Sequence, residues 1–255
     1  MQCQAEQGVP NFGSLTLVHV PESGVIELTC GRGHHTYSVV QDAKFEILSD
    51  MAIRALVEED YRGAVSNFVT ALERLFEFFT LAMFRKHGVE AAASEKAWKP
   101  LARMSERQLG AYVAAHLIET GGQPFLLPDK QVKFRNDVIH NGRLPDRDEA
   151  VAFGQAVCDC AVPTLAILGS DSYRHIVTQL TTERIRARRA MAKDSQYPVS
   201  TGASATLFHP DGGIEAIDLE QEIAKYAARP DLKEGVQQAR VLGALIAESV
   251  REAED

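Results

Sequence analysis

The chain is short of the features that most quickly assign a protein to a class. Its 255 residues hold only four cysteines, too few for the disulfide framework of a small secreted domain. No stretch approaches eighteen uncharged apolar residues, so no membrane span is predicted. The opening residues, MQCQAEQGVPNFG, lack a basic region followed by an apolar run, so no secretory leader is expected and the expected location is the cytoplasm. Positive charge is also scarce. Lys and Arg number 27 against 35 Asp and Glu, and a net charge of −8 excludes a bulk electrostatic binder of nucleic acid. Disorder is excluded as well, because 45% hydrophobic and 24% charged residues are ordinary for a globular chain.

The negative charge is unevenly spread. Residues 128–193 carry 11 basic and 8 acidic side chains, whereas residues 194–255 carry 5 and 12. Any contact with RNA or DNA is therefore expected in the middle of the chain.

Hydrophobic spacing divides the chain into three consecutive segments. Residues 1–41 read as a small antiparallel meander, with strands at Leu15–Val20, Val25–Thr29 and Thr36–Val40 and a turn at Pro21-Glu-Ser-Gly24. From Asp42 the period becomes helical, and residues 42–193 read as a helical bundle. Val65, Phe68, Leu72, Leu75, Phe76, Phe79 and Met83 form one apolar stripe that stops at His87-Gly88. Phe68, Phe76, Phe78 and Phe79 are read as core packing. Further helices are predicted from Ser105 to Gly121, over 129–141 with a stop at Asn141-Gly142, over 146–168 with a kink or restart at Pro163, and from Asp171 to Lys193. A polar linker then leads to a hairpin (Ala205–Phe208 with Ile214–Ile217) and helices near 218–228 and 232–252. The expected fold is mainly α, a helical bundle with a small N-terminal antiparallel β element and a C-terminal α+β extension.

The residues that suggest chemistry lie in the basic middle segment, Lys133-Phe-Arg135-Asn136-Asp-Val-Ile-His140-Asn-Gly142. Arg-x4-His is a common spacing, but the chain has only four asparagines, and one follows this arginine directly. With the Ala64-Val65-x2-Phe68-x2-Ala71-Leu72-Glu73-Arg74 helix ahead of it, the motif resembles that of the HEPN superfamily, helical domains of many RNA-cleaving toxins and abortive-infection proteins. The resemblance covers roughly residues 42–168. It implies a HEPN-like bundle and a metal-independent endoribonuclease that needs no cofactor, works as a homodimer, and serves as a toxin or antiviral-defence effector, with an antitoxin or regulatory partner possible. It also implies that Arg135 and His140 are catalytic and that Asn136 orients them. Many family members have a tyrosine where this chain has Gly142.

Physical chemistry gives those residue types a role of their own. RNA carries its nucleophile, the 2′-OH, so an enzyme need only move protons and stabilise charge. Histidine titrates near neutral pH, and arginine offers a charged planar fork that matches phosphate oxygens. On a helix, Arg135 and His140 lie about 140° apart, whereas Asn136 and His140 share a face. One helix is therefore a poor complete site, and a two-fold dimer would supply a second arginine and histidine. Lys133, Arg143, Arg184 and Arg188 are the candidate RNA-binding residues.

Three other readings stand beside this one. His140 and Arg135 can serve the helix itself, the histidine capping terminal carbonyls and the arginine pairing with Asp137 or Asp129. The bundle can be a catalytically silent interaction or nucleic-acid-sensing module. Lastly, Cys30-Gly-Arg-Gly-His34 resembles half of a zinc ribbon, which would make the chain a zinc-dependent interaction protein. Zinc takes four ligands, usually from two close pairs, and neither Cys3 nor Cys158 and Cys160, two apart on a helix, supplies the second pair. Buried free thiols and no metal site are therefore expected.

Overall fold

The computed structural model describes residues 2–7, 11–192, 199–203, 207–210, 215–229 and 232–254. In chain order they form α1 (Gln2–Gln7), a 3-10 turn (Phe12–Ser14), β1 (Val25–Thr29), β2 (His35–Val40), α2 (Lys44–Val57), α3 (Tyr61–Lys86), α4 (Ala91–Leu101), α5 (Ser105–Thr120) and α6 (Asp129–His140). There follow α7 (Arg147–Gly169), α8 (Asp171–Ala190), β3 (Val199–Gly202), α9 (Leu219–Ala227) and α10 (Leu232–Glu254). The protein is mainly helical with a small sheet near the N-terminus, as its spacing predicts.

Two compact units divide the chain, and neither is continuous. One comprises residues 1–41, 183–203 and 228–255, and the other residues 42–182 and 204–227. The division after Gln41 falls where the apolar period changes. Beyond residue 182 the tail contributes to both units instead of forming a third segment.

In the helical unit, α3 is the element the others pack on. Its apolar stripe buries Val65, Phe68, Leu72, Leu75, Phe76, Phe79 and Met83, while Phe78 lies at the edge, 5.2 Å from Phe45 between ring centroids. α2, α5, α6 and α7 all pack against it. The helix begins at Asp60, whose carboxylate accepts the Gly63 amide at 2.9 Å, an N-cap that satisfies one of the free first-turn donors. α7 opens with a reciprocal capping box, Asp146 with Glu149, and runs through Pro163 to Gly169 as one continuous helix. Close approach between α7 and α3 depends on Gly154. A Cβ there would lie 2.7 Å from the Phe68 ring and 2.6 Å from Leu219. By length and composition α7 is apolar enough to cross a membrane, but half of its apolar stretch is buried, with Phe153, Val157, Cys158, Ala161 and Leu165 in the helical core. Cys158 and Cys160 are buried free thiols there, and burial pushes Cys160 up to about 12.

α5 is locked to the core by its one buried tyrosine. The Tyr112 ring stacks on Phe76 at 3.8 Å and meets the edge of Phe79 at 5.6 Å, and its hydroxyl bonds Thr164 Oγ1 at 2.8 Å. His116, also buried, bonds the Gly122 carbonyl at 3.0 Å and closes the end of the same helix. On α2, the carboxylate of buried Glu46 takes the Ala43 amide and meets His209 Nδ1 at 2.8 Å. Burial raises Glu46 above the ordinary carboxylate range, against the pull of these hydrogen bonds.

The sheet departs from the predicted meander. β1 and β2 pair antiparallel, Val25 opposite Val39 and Thr29 opposite His35, but the third strand is β3 from the tail, parallel to β2. Residues 15–20 form no strand. Leu15, Leu17, Val18 and Val20 are all exposed, so alternation there buries neither face, and the Leu15 carbonyl accepts from Arg240 on α10 instead. Of the predicted C-terminal hairpin, residues 207–210 and 215–218 are not strand, and the rest of it lies outside the described residues.

Candidate functional site

α6 carries the Arg-Asn-x3-His motif, and its ends explain where the motif residues point. Gly142 has φ +72°, the left-handed backbone that ends a helix and that a tyrosine would adopt only with strain. The Asp137 carbonyl accepts the amides of both Asn141 and Arg143 at 3.1 Å, and the Asp137 carboxylate takes the Asn141 side chain at 3.0 Å. The helix end is thus closed by Asn141, Gly142 and Arg143 without His140.

His140 and Asn136 are both exposed on the outer side of α6. Among the described residues His140 has no hydrogen-bond or ionic partner. Arg135 is turned elsewhere. It is half-buried and lines a cleft with Glu73, Leu72 and Phe76 of α3, Gln108 and Leu109 of α5, and Leu126 of the following loop. Its Nε is buried with no hydrogen-bond partner, and it makes no ion pair with Asp129 or Asp137. Neither contact of the helix-serving reading is therefore made. Burial raises Glu73 above its ordinary carboxylate range, and the charge of Arg135, then that of Arg74, pulls it back. Arg74 itself pairs with Glu77 at 2.6 Å and bonds the Gln108 side chain at 2.5 Å, fixing the cleft wall between α3 and α5.

Lys133 and Arg143 line a second cleft with Lys130, Gln131, Asp137 and Glu149. Arg143 pairs with Glu149 and lies over the Phe134 ring, 5.0 Å from its centroid. One copy of α6 therefore turns Arg135 into the helical unit and leaves His140 outside, while Lys133, seven residues before His140, lies within about 20° of it on the exposed face.

No family model matches the chain, and neither does any curated protein or solved structure.

Arg184 and Arg188 belong to the other unit, where their donors are used on main chain. Arg184 Nη1 donates to the Gln41 carbonyl at 2.6 Å, and Arg188 Nη1 donates to the Val40 carbonyl beside Gly24. The two arginines hold the end of β2. Their exposed-looking spacing on α8 gave no sign of this.

A second cluster appears in the same unit. Cys30 and His34 flank the turn between β1 and β2, which is closed by the Cys30 amide on the His34 carbonyl (3.0 Å) and the Gly33 amide on the Cys30 carbonyl (2.9 Å). Gly33 at φ +80° permits this tight reversal. Cys3 arrives from α1, with its Sγ 3.6 Å from Cys30 Sγ and 3.1 Å from His34 Nδ1. The three ligand atoms lie within 4.8 Å of one another. The Arg32 amide donates to Cys30 Sγ at 3.4 Å, and this bond first, opposed by partial burial, holds the Cys30 thiol below its ordinary range. Glu6 Oε2 sits 3.1 Å from the other ring nitrogen of His34. Spacing alone leaves Cys3 isolated, because a ligand 27 residues away in sequence is brought in by tertiary structure.

Proposed function

We propose that this protein is a metal-independent endoribonuclease of HEPN type, working as a homodimer. His140 moves the proton, Arg135 stabilises the phosphorane, and Asn136 orients them. The 2′-OH of the substrate loses its proton to one histidine and attacks the adjacent phosphorus. The bond to the 5′ oxygen breaks, that oxygen takes a proton from solvent, and a 2′,3′-cyclic phosphate remains. The observation that carries the reading is on α6, where an exposed, unpartnered His140 shares the helix with an Arg135 whose buried Nε is also unpartnered. His140 is open to a substrate, and Arg135 lacks the partner that a buried guanidinium nitrogen ordinarily has.

Dimerisation follows from the divergence of the two side chains. A two-fold axis near α6 brings Arg135 of one copy towards His140 of the other. The exposed apolar residues Leu109, Phe125 and Leu126 around the Arg135 cleft supply surface for such an association. Lys133 and Arg143 are the phosphate contacts in this reading. Arg184 and Arg188 are left out of it, being engaged on the sheet. A role in toxicity or antiviral defence, held in check by an antitoxin or other partner, rests on the family resemblance.

The test is cleavage of a mixed RNA pool, tRNA included, with chelator present. His140→Ala and Arg135→Ala should each lose at least about 100-fold in rate. Mixing the two inactive variants should restore about a quarter of wild-type activity, because half the dimers are mixed and each mixed dimer rebuilds one of two composite sites. Cleavage that His140→Ala leaves unchanged would refute the assignment. A dimer that neither cuts RNA nor slows growth on induction would point to the silent module.

A further inference from the structure

The N-terminal unit has little to hold it together. Its buried apolar side chains, among the described residues, are Cys3, Tyr37, Val39 and Val40, whereas every member of the large hydrophobic cluster belongs to the helical unit. A unit with so small a core ordinarily needs a staple, either a disulfide or a metal. We propose that Cys3, Cys30 and His34 form a structural site for one zinc-like divalent ion, with water completing the coordination.

Four observations support the site. First, the donor set is thiolate, thiolate and imidazole, the chemistry zinc prefers over harder ions. Second, the Sγ–Sγ separation of 3.6 Å is close to the roughly 3.8 Å between two sulfurs on a tetrahedral zinc, and far from the roughly 2.05 Å of a disulfide. Third, His34 presents Nδ1 towards Cys3 and has Glu6 on Nε2, the carboxylate–histidine arrangement that fixes the tautomer of a metal-binding imidazole. Fourth, Cys30 Sγ accepts the Arg32 amide at 3.4 Å, an N–H···S contact that fixes the sulfur on the turn. The site joins α1 to the β1–β2 turn, so binding couples to the order of the N-terminal unit. The two thiols release their protons to solvent as the ion binds, and the imidazole coordinates through the Nδ1 lone pair with its Nε2 proton kept on Glu6. The proposal is independent of RNA cleavage, because none of its residues belongs to the proposed catalytic set.

Titrating the reduced full-length protein with zinc, and with cobalt as a spectroscopic probe, tests it. One ion per chain should survive gel filtration, and the cobalt form should show a thiolate charge-transfer band. Cys30→Ser and His34→Ala should abolish both. Glu6→Gln should keep the stoichiometry at saturating metal but weaken affinity by about tenfold, a readout that does not depend on whether the ligand variants fold. Cys158→Ala, in the helical unit, should bind as wild type. Hydrogen exchange should slow at Thr29–Tyr37 on zinc addition. A wild-type protein that retains no metal, or a Cys30→Ser variant that binds unchanged, would overturn the site.

Discussion

Replacing Tyr112 with phenylalanine is the sharpest probe of how the wall of the Arg135 cleft is held. The ring is retained, so the stack on Phe76 and the edge contact with Phe79 should survive. What is lost is the 2.8 Å bond to Thr164, whose hydroxyl is fully buried. Leaving a buried hydroxyl without that partner costs about 1–3 kcal/mol, whereas replacing both groups with apolar ones is nearly neutral. Tyr112→Phe with Thr164→Val should therefore recover most of the loss, with a coupling of at least about 1 kcal/mol in the double-mutant cycle. The pH dependence is a second, independent handle. Burial first, against the Thr164 bond, pushes the Tyr112 phenol up to about 12, while an unfolded tyrosine titrates near about 10. The raised value favours the neutral group in the fold, so its contribution is complete below pH 10 and is lost as pH climbs towards 12. Wild type should lose about 1.4 kcal/mol relative to Tyr112→Phe by pH 11 and about 2.3 kcal/mol by pH 12. Urea unfolding of the four cycle members at pH 8, 10 and 11 measures both effects. A wild-type-to-variant gap that is the same at pH 8 and pH 11, or a double mutant no better than the worse single, would refute the reasoning.

Three further comparisons test other parts of the molecule. Glu46→Gln should gain stability relative to wild type as pH rises from about 4 to 7, because the raised carboxyl of wild type contributes most when protonated and loses that contribution as it ionises; thermal unfolding across this range reads the sign. Gly154→Ala should cost about 1–3 kcal/mol in urea unfolding, since its Cβ would meet Phe68 and Leu219 inside normal contact distance. Arg188→Ala should speed hydrogen exchange at the end of β2 yet leave RNA affinity within about twofold, whereas Lys133→Ala should weaken RNA binding and flatten its salt dependence.

The helices from α2 onward are legible wherever an apolar stripe repeats every three or four residues. α4 is the exception, because AAASEKAWKPL offers only Ser94 and Trp98 to the interior and no stripe to read. β3 is hidden for a related reason, being four residues, VSTG, at the end of a polar stretch that reads as linker. Pairing with β2, and not its own composition, makes it a strand. At the candidate site the helical wheel separates Arg135 from His140, and the fold adds that Arg135 occupies an apolar cleft beside Glu73. The basic run on α8 is misleading in the opposite way. Arginine spacing cannot distinguish a cation offered to phosphate from one tied to a carbonyl, as Arg184 and Arg188 are. Cys3 was the least legible residue of all, since no local pattern encodes a contact with the β1–β2 turn.

The parallel pairing of β2 with β3 has a consequence for how the molecule is made. Tyr37 leaves the ribosome about 160 residues before its partner Val199, and α10, which packs on the Phe12–Ser14 turn, follows later still. During synthesis the N-terminal residues must wait, with an unsatisfied strand edge, while α2 to α7 emerge and collapse on α3. A nascent chain stalled near residue 182 would thus present a nearly finished bundle and an open two-stranded ribbon. Chains that stop before Val199 should accordingly be prone to edge-to-edge association, because the strand that closes the sheet is made some 160 residues after the two that begin it.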